Sequence, residues 1–157
     1  MDFARQVTAC LHREHLESLA LLEAVEAVLA KAKAPPPAGD AVWRLMGRLE
    51  ANLANEVGRH FAFEEEQLFP LMGGDQDIAQ LLADEHKAIL ALAQRLMPFL
   101  RGEPVRNWAE FRALALELVE RQVGHIQKEE MSLLPVLEDA LDSEQDAELL
   151  SRYLATA

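Results

Sequence analysis

The chain has 157 residues and a mass of 17.5 kDa, the size of a single domain that can bury its own core. Half of the residues are hydrophobic but only 6% are aromatic, so the composition favours an all-helical protein over a β-sandwich. A formal net charge of −12 and a pI near 4.8 argue against nucleic acid and anionic membranes as partners and suit a cation.

Apolar residues at helical spacing predict the first two helices. The first predicted helix spans about residues 3–33. The proline-rich residues 34–39 cannot continue it, and Asp40 is the expected N-cap of the next segment. The second predicted helix then continues to about Pro70, and the two glycines before Asp75 close the turn that follows.

The third and fourth helices follow from the same spacing and from their end signals. The third predicted helix begins after Asp75 and ends near Leu100, because residues 101–106 contain glycine and proline. Asn107-Trp-Ala-Glu110 has the pattern of a capping box and opens the fourth helix. Pro135 is expected to kink or end that helix.

A short final helix completes the predicted fold. Ser143 is its expected N-cap, and it is expected to end near Tyr153. Four long helices joined by short connections predict an antiparallel up-down-up-down four-helix bundle with a short C-terminal helix. We expect one domain over residues 1–157.

One pattern of five positions occurs twice in the chain. In it, His is followed by Glu after four and five residues, by Leu after eight and by Pro after ten. The copies are His60-Phe-Ala-Phe-Glu64-Glu65-Glu66-Gln-Leu68-Phe69-Pro70 and His125-Ile-Gln-Lys-Glu129-Glu130-Met-Ser-Leu133-Leu134-Pro135. Residues four apart lie on one face of a helix, roughly 6 Å along its axis, so each His and the first Glu can converge on a shared metal ion.

Two further histidines stand on the first and third helices, and chain distances place all four at one level of the bundle. Each lies 10 to 13 residues from the bundle end that they share: His15, His60, His86 and His125. Any one of them alone would more often be an ordinary core histidine. Burying four imidazoles and two carboxylates without a cation would cost several kcal/mol per charge, so the set predicts a metal site.

The pattern resembles the hemerythrin-like, or HHE cation-binding, four-helix bundles over nearly the whole chain. That resemblance implies a non-haem di-iron centre, with His15 and His60 on one iron, His86 and His125 on the other, and Glu64 and Glu129 bridging. The same donors would also hold zinc or manganese. Ferritin-like di-iron proteins use Glu-x-x-His instead, whereas Val57, Ala83 and Gln122 stand three residues before these histidines.

The implied donor set leaves room for a small ligand. Two histidines and one oxygen of each bridging carboxylate give each iron about four protein donors, and a bridging oxide or hydroxide makes about five. One position on each ion then stays open for O₂, NO, peroxide or water. His12, about 60° around the helix from His15, is either an additional ligand or a polar residue near the bundle mouth.

The oxygen-carrying hemerythrins take their additional histidine from the third helix. Here Leu82 and Leu90 flank His86 at those positions, and this difference argues against reversible O₂ carriage.

The residues beside the predicted ligands have ordinary expected roles. Glu65 and Glu130 point about 140° away from their histidines, so solvated or inter-helix ion-pairing roles are expected. Solvent-facing roles are expected for Glu14 and Glu85, a core or water-excluding role for Phe61 and Phe63, and a buried apolar role for Cys10.

These features leave three functions open, and they do not decide whether the chain is an enzyme. It binds or senses a diatomic such as O₂ or NO; or it is a di-iron redox enzyme that consumes peroxide, O₂ or NO, or repairs iron-sulfur clusters; or it stores or buffers iron. The repair proteins of the family typically carry a cysteine-bearing N-terminal domain, and this chain begins at the bundle, which lowers that option. The lone cysteine and the lack of a hydrophobic leader predict a cytoplasmic location.

Overall fold

Helices dominate the chain. A computed structural model describes residues 2–157, with only the backbone at positions 56 and 57, so the side chain of Val57 lies outside the described residues. No β-strand occurs within that range, which confirms the all-helical class. The elements in chain order are α1 (Gln6–Lys31), α2 (Ala41–Asn55), a π-helical turn (Glu56–His60), α3 (Phe61–Phe63), a second π-helical turn (Glu64–Leu68), a 3₁₀ segment (Phe69–Asp75), α4 (Gln76–Leu100), α5 (Trp108–Met131), α6 (Leu133–Ala140) and α7 (Ser143–Ala155).

The four long helices pack into a bundle. α1 packs against α2 and α5, and α4 packs against the same two helices, so each helix has two neighbours. The buried apolar side chains form two clusters, one around Leu22 and the other around Leu11. On α1, His15 lies between these two leucines in sequence, and on α4 His86 lies between Leu82 and Ile89 of the two clusters. A polar layer therefore separates the two halves of the core.

The second predicted helix is not regular up to Pro70. Two π-helical turns and a 3₁₀ segment replace the α-helix that the spacing predicts there. π-helical turns hold i→i+5 hydrogen bonds, are rare and occur mostly as single turns at functional sites. The first contains His60 and the second begins at Glu64, so each turn contains a residue of the predicted metal site.

Two of the predicted helix starts are confirmed. Asp40 Oδ1 accepts a hydrogen bond from the Val42 amide at 2.9 Å, at the first turn of α2. Asn107 Oδ1 accepts from the Glu110 amide at 3.1 Å and caps α5 as predicted. Small polar side chains therefore start both helices by satisfying an amide that has no partner within the helix.

The predicted break at Pro135 is confirmed, whereas the predicted start of the last helix is displaced by one residue. The fourth long helix ends at Met131, before Pro135, because the proline ring clashes with the carbonyl four residues earlier. Pro135 instead lies in the first turn of α6, where a missing amide hydrogen costs little. The N-cap of α7 is Asp142 rather than Ser143, since Asp142 forms a full capping box with Gln145.

The last two helices fasten the beginning of α1. The side chain of the N-cap residue, Arg5, makes no capping hydrogen bond to α1. Asp146 of α7 accepts from the amides of Gln6 and Val7 at 2.8 and 2.9 Å, and Glu138 of α6 accepts from the Arg5 amide at 3.1 Å. Residues distant in sequence therefore supply the acceptors that this helix start requires. Across residues 2–157, none of the helices has both the length and the apolar character needed to cross a bilayer.

Candidate metal centre

Six residues that the sequence predicts as ligands come together inside the bundle. None of their side chains is more than 1% exposed, and they lie on α1, α4, α5 and the two π-helical turns that follow α2. They are named the inner set: His15, His60, Glu64, His86, His125 and Glu129. Burying four imidazoles and two carboxylates in one place is electrostatically unfavourable unless other charges compensate.

The inner set divides into two groups that share both carboxylates. One group is His15, His60, Glu64 and Glu129, and the other is Glu64, His86, His125 and Glu129. Within each group, one potential ligand atom from every residue lies within 4.8 Å of the others. Two cation positions that share two carboxylates have the arrangement of a dinuclear site.

The two oxygens of Glu64 face different histidines. Oε1 lies 2.5 Å from His60 Nε2, while Oε2 lies 3.2 Å from His86 Nε2. His60 belongs to the first group and His86 to the second. The carboxylate of Glu64 therefore spans the two groups, as a bridging ligand would.

The nitrogen separation in the second group suits a metal ion. His86 Nε2 and His125 Nε2 lie 3.0 Å apart. Two donor atoms about 2.1 Å from one ion, at right angles to each other, are separated by about 3.0 Å. The two imidazoles are therefore already spaced as neighbouring ligands of one ion.

Buried polar atoms in the inner set lack hydrogen-bond partners. They include His15 Nε2, both carboxylate oxygens of Glu64, Glu129 Oε2 and His86 Nδ1. An unpaired buried polar atom costs roughly 1 to 3 kcal/mol, and more when it is charged. Several such atoms around one space are what a cation would satisfy, so the residues present fit a metal.

Without a cation, the two buried carboxyl groups titrate in opposite directions. Burial and the nearby charge of Glu129 raise the pKa of Glu64 well above its ordinary value. Burial opposes ionisation of Glu129 as well, but the His125 imidazole pairs with it and holds its pKa far below the usual range. Burial and the neighbouring His125 lower the pKa of His86 to about 3. The two carboxyl groups therefore differ in proton affinity, and a metal ion would compete with the proton for Glu64.

Around the inner set, further carboxylates approach the far nitrogens of the histidines. We name Glu14, Glu65, Glu85 and Glu130 the outer carboxylates. Glu130 Oε1 accepts from His15 Nδ1 at 2.6 Å, and Glu14 Oε2 accepts from His60 Nδ1 at 3.2 Å. An ionised carboxylate can only accept, so each of these imidazoles carries its hydrogen on Nδ1 and leaves the Nε2 lone pair for a metal.

In the second group, the outer carboxylates form fewer hydrogen bonds to the Nδ1 atoms of the histidines. Glu85 Oε1 accepts from His125 Nδ1 at 3.0 Å, and Glu85 also pairs with Lys128. Glu65 Oε1 lies 3.7 Å from His86 Nδ1, which is too far for a hydrogen bond. His86 Nδ1 is buried without a hydrogen-bond partner. The two halves of the centre therefore differ in how firmly their histidines are held.

The expectation that Glu14 and Glu85 face solvent is wrong. Their side chains are 19% and 21% exposed, and each bonds to a histidine of the neighbouring helix. Consecutive residues on a helix point about 100° apart, so neither glutamate can contact the histidine next to it in sequence. This angle does not exclude a contact with a histidine on a neighbouring helix. The available signal was the repeated Glu-His pair, Glu14-His15 and Glu85-His86.

Hydrogen bonding lowers the pKa values of three of the outer carboxylates, Glu14, Glu85 and Glu130. Burial of Glu14 opposes ionisation, but hydrogen bonds from His60 and Tyr153 lower its pKa below the ordinary value. Glu85 and Glu130 behave alike, since donors on Lys128 and on His15 outweigh the effect of burial on the pKa of each. All three are therefore ionised at neutral pH and act as acceptors.

His12 lies outside both groups of the inner set. Its Nδ1 donates to Glu130 Oε2 at 2.7 Å, and its side chain is 24% exposed. Glu130 thus bonds to two histidines of α1 at once, which agrees with the inter-helix ion pair expected of it. The geometry favours His12 as a polar residue at the mouth of the bundle.

Aromatic rings form an apolar wall beside the second group. Phe61 stacks on the His86 ring at 3.8 Å between centroids, and Phe69 lies on it at 5.5 Å. Phe61 and Phe63 are both buried, as expected of core or water-excluding residues. The buried Cys10 also has its expected role, and burial raises the pKa of its thiol.

Comparison with known proteins adds one finding. The family model of the hemerythrin HHE cation binding domain matches residues 6–137. That range contains every residue of the inner set. No curated protein and no solved structure matches the chain.

Proposed function

The chain belongs to the hemerythrin family of HHE cation-binding domains and is a metal-binding protein, and we propose that it holds a di-iron centre that binds a small diatomic, O₂ or NO. In this proposal His15 and His60 bind one iron and His86 and His125 bind the other. Glu64 and Glu129 bridge them. His12 is not a ligand in this assignment.

The position of the Glu64 carboxylate between histidines of both groups is the observation that carries the proposal. One of its oxygens lies near His60 of the first group and the other near His86 of the second, and neither oxygen has a hydrogen-bond partner. A mononuclear site would leave one of these oxygens, and two of the four histidines, buried without a function. Two ions account for the whole inner set.

The residues around the centre suit a reactive but sheltered site. Bound iron would supply coordination positions for a diatomic ligand and the electrons that bind it. The outer carboxylates Glu14, Glu85 and Glu130 orient the imidazoles through Nδ1, and Phe61 with Phe69 keeps water away from His86. The half-exposed Glu65 and Lys128 mark the side of the second group as nearer to solvent.

We also propose the antiparallel up-down-up-down arrangement, in one domain over residues 1–157. At one end, Arg112 near the start of α5 donates to the Leu29 carbonyl near the end of α1 at 2.6 Å. At the other end, His12 of α1 meets Glu130 near the end of α5. These two contacts support opposite directions for the two helices.

Metal analysis combined with visible spectroscopy tests the proposed function. Protein loaded with Fe(II) under anaerobic conditions should contain about two irons per chain. Exposure to O₂ or NO should produce a charge-transfer band that disappears when the gas is removed. A band that forms irreversibly, with turnover of peroxide, would instead favour the redox enzyme. Bound iron with no response to either gas would favour storage, and a chain that takes up no iron would refute the di-iron centre.

A further inference from the structure

Tyr153 of α7 lies beside the candidate metal centre, although it lies outside the residues that match the family. Its side chain is 0% exposed. The ring packs against Phe63 at 4.7 Å, and the Arg59 guanidinium lies over it at 4.1 Å. A phenol buried this completely needs a polar partner for its hydroxyl group.

That partner is an outer carboxylate. The Tyr153 hydroxyl donates to Glu14 Oε2, the same oxygen that accepts from His60 Nδ1 at 3.2 Å. The other oxygen of Glu14 lies 3.4 Å from Arg59 Nη1. Three donors on two other elements therefore hold one carboxylate in place against a histidine of the inner set.

The remaining outer carboxylates lack support of this kind. Glu85 pairs with Lys128, whose side chain is 52% exposed, and Glu130 is shared with the partly exposed His12. Salt and solvent screen such exposed partners. The phenol of Tyr153 is buried, and α7 is itself fastened to the start of α1 by Asp146.

We propose that α7 is a working part of the metal centre, in which Tyr153 is a positioning residue that acts through Glu14 to orient His60. The inference rests on the proposed function, because it assigns His60 to a metal ion. The phenol fixes the Glu14 carboxylate, the carboxylate fixes the hydrogen of His60 on Nδ1, and Nε2 faces the ion. Loss of a group that orients a metal-bound histidine typically weakens metal binding 10-fold to 100-fold.

Zinc titration of four variants tests this inference. Tyr153→Phe keeps the ring and removes only the hydroxyl group, and it should lower zinc affinity about tenfold in competition with a chromophoric chelator. Glu14→Ala should lower it at least as much. Because the phenol acts through Glu14, adding Tyr153→Phe to Glu14→Ala should change nothing further. Leu149→Ala is the control, since it loosens the packing of α7 but leaves the phenol in place.

Each outcome decides the matter. An unchanged affinity in Tyr153→Phe, or equal losses in that variant and in Leu149→Ala, would mean that α7 only stabilises the fold. Losses that add in the double variant would show that Tyr153 does not act through Glu14. If the unaltered protein itself binds no zinc, the metal site is wrong rather than the role of Tyr153.

A second measurement leaves Tyr153 unsubstituted, so it remains valid even if Tyr153→Phe fails to fold. The chain has one tyrosine, so growth with 3-fluorotyrosine places a single ¹⁹F label at position 153. Zinc should shift this resonance in the unaltered sequence, and the shift should be lost in Glu14→Ala. A ¹⁹F chemical shift that zinc leaves unchanged in the unaltered sequence would overturn the inference.

Discussion

At the scale of single residues, Glu64 is where the two halves of the centre meet. Both of its oxygens are buried without hydrogen-bond partners, and Glu129 lies in the same two groups. Two carboxylates this close cannot both ionise readily in the absence of a cation. The apo state of the centre is therefore electrostatically unfavourable, and a bound metal ion would neutralise the carboxylates.

Metal binding should release protons because of this pair. The pKa of Glu64 is raised well above 4.5, so at pH values below this raised pKa the apo protein keeps a proton there that the metal must displace. Raising the pH through that pKa removes the competing proton, so metal affinity should increase with pH. Calorimetric titration with zinc in buffers of different ionisation enthalpy, repeated at several pH values, should show proton release that decreases as the pH rises through the pKa of Glu64.

Glu64→Gln is the control for this experiment, because the amide carries no titratable proton. It should release fewer protons than the unaltered protein. A heat of binding that is independent of the buffer would contradict the assignment of the proton to Glu64.

At the scale of elements, the first π-helical turn sets the direction of His60. A single π turn accommodates one residue more than an α-helical turn. Gly58 lies in this turn, is exposed and has open space around the position of a Cβ atom. It therefore offers a way to change the register of the turn without removing a packed side chain.

Insertion of one alanine after Gly58 should rotate the residues after it by about 100° relative to those before it, because the turn already holds its one additional residue. His60 would then leave the inner set. We expect far-UV circular dichroism to stay close to that of the unaltered protein while metal content falls from about two ions per chain to about one or fewer. Gly58→Ala, the matched control, should keep full metal content, and full content after the insertion would show that the register of this turn does not place His60.

The contact between α7 and the start of α1 should contribute to stability. Asp146 accepts from two amides of α1, and its loss leaves both without that acceptor. Asp146→Ala should lower the free energy of unfolding by about 1 to 2 kcal/mol, as measured by urea denaturation. Asp139→Ala, at an exposed position of α6, should stay within about 0.5 kcal/mol of the unaltered protein, and an equal effect in both variants would argue against the cap.

At the scale of the whole molecule, the metal and the fold depend on each other. The polar layer that contains the inner set interrupts a core that is otherwise apolar on both sides. Burial of unpaired polar atoms opposes folding, whereas a ligand that binds only the folded state favours it. Metal should therefore raise the stability of the entire bundle and not of one helix alone.

Calorimetry of apo and loaded protein tests this dependence. Zinc at about 100 times its dissociation constant should add about 2.7 kcal/mol for each ion bound; two ions correspond to a rise of about 10 to 20 °C in Tm for a chain of this size. A variant with Glu64→Gln and Glu129→Gln should show no such shift. Its apo form should be less stable than the unaltered apo protein, because Glu129→Gln removes the carboxylate that pairs with the buried His125. An unaltered protein whose Tm ignores zinc would contradict the dinuclear site.

Local chemistry explains what could be predicted. The spacing of apolar residues located the long helices, and Asp40 and Asn107 identified two helix starts, because a cap depends on residues only three positions apart. The repeated His-x-x-x-Glu pattern pointed to the inner set because residues four apart share a helix face. The π turns were missed, since no spacing or propensity rule distinguishes them from α-helix.

The sequence by itself determined the helical class, the family and the residues that gather at the centre, because helical periodicity is written into neighbouring positions. Only the tertiary structure decided which carboxylate serves which histidine: Glu14 bonds to His60 and Glu85 to His125, each across a helix pair. It also brought Tyr153, 139 residues along the chain from Glu14, onto the same carboxylate. Such partners depend on how helices pack against each other, and that is a property of the folded chain.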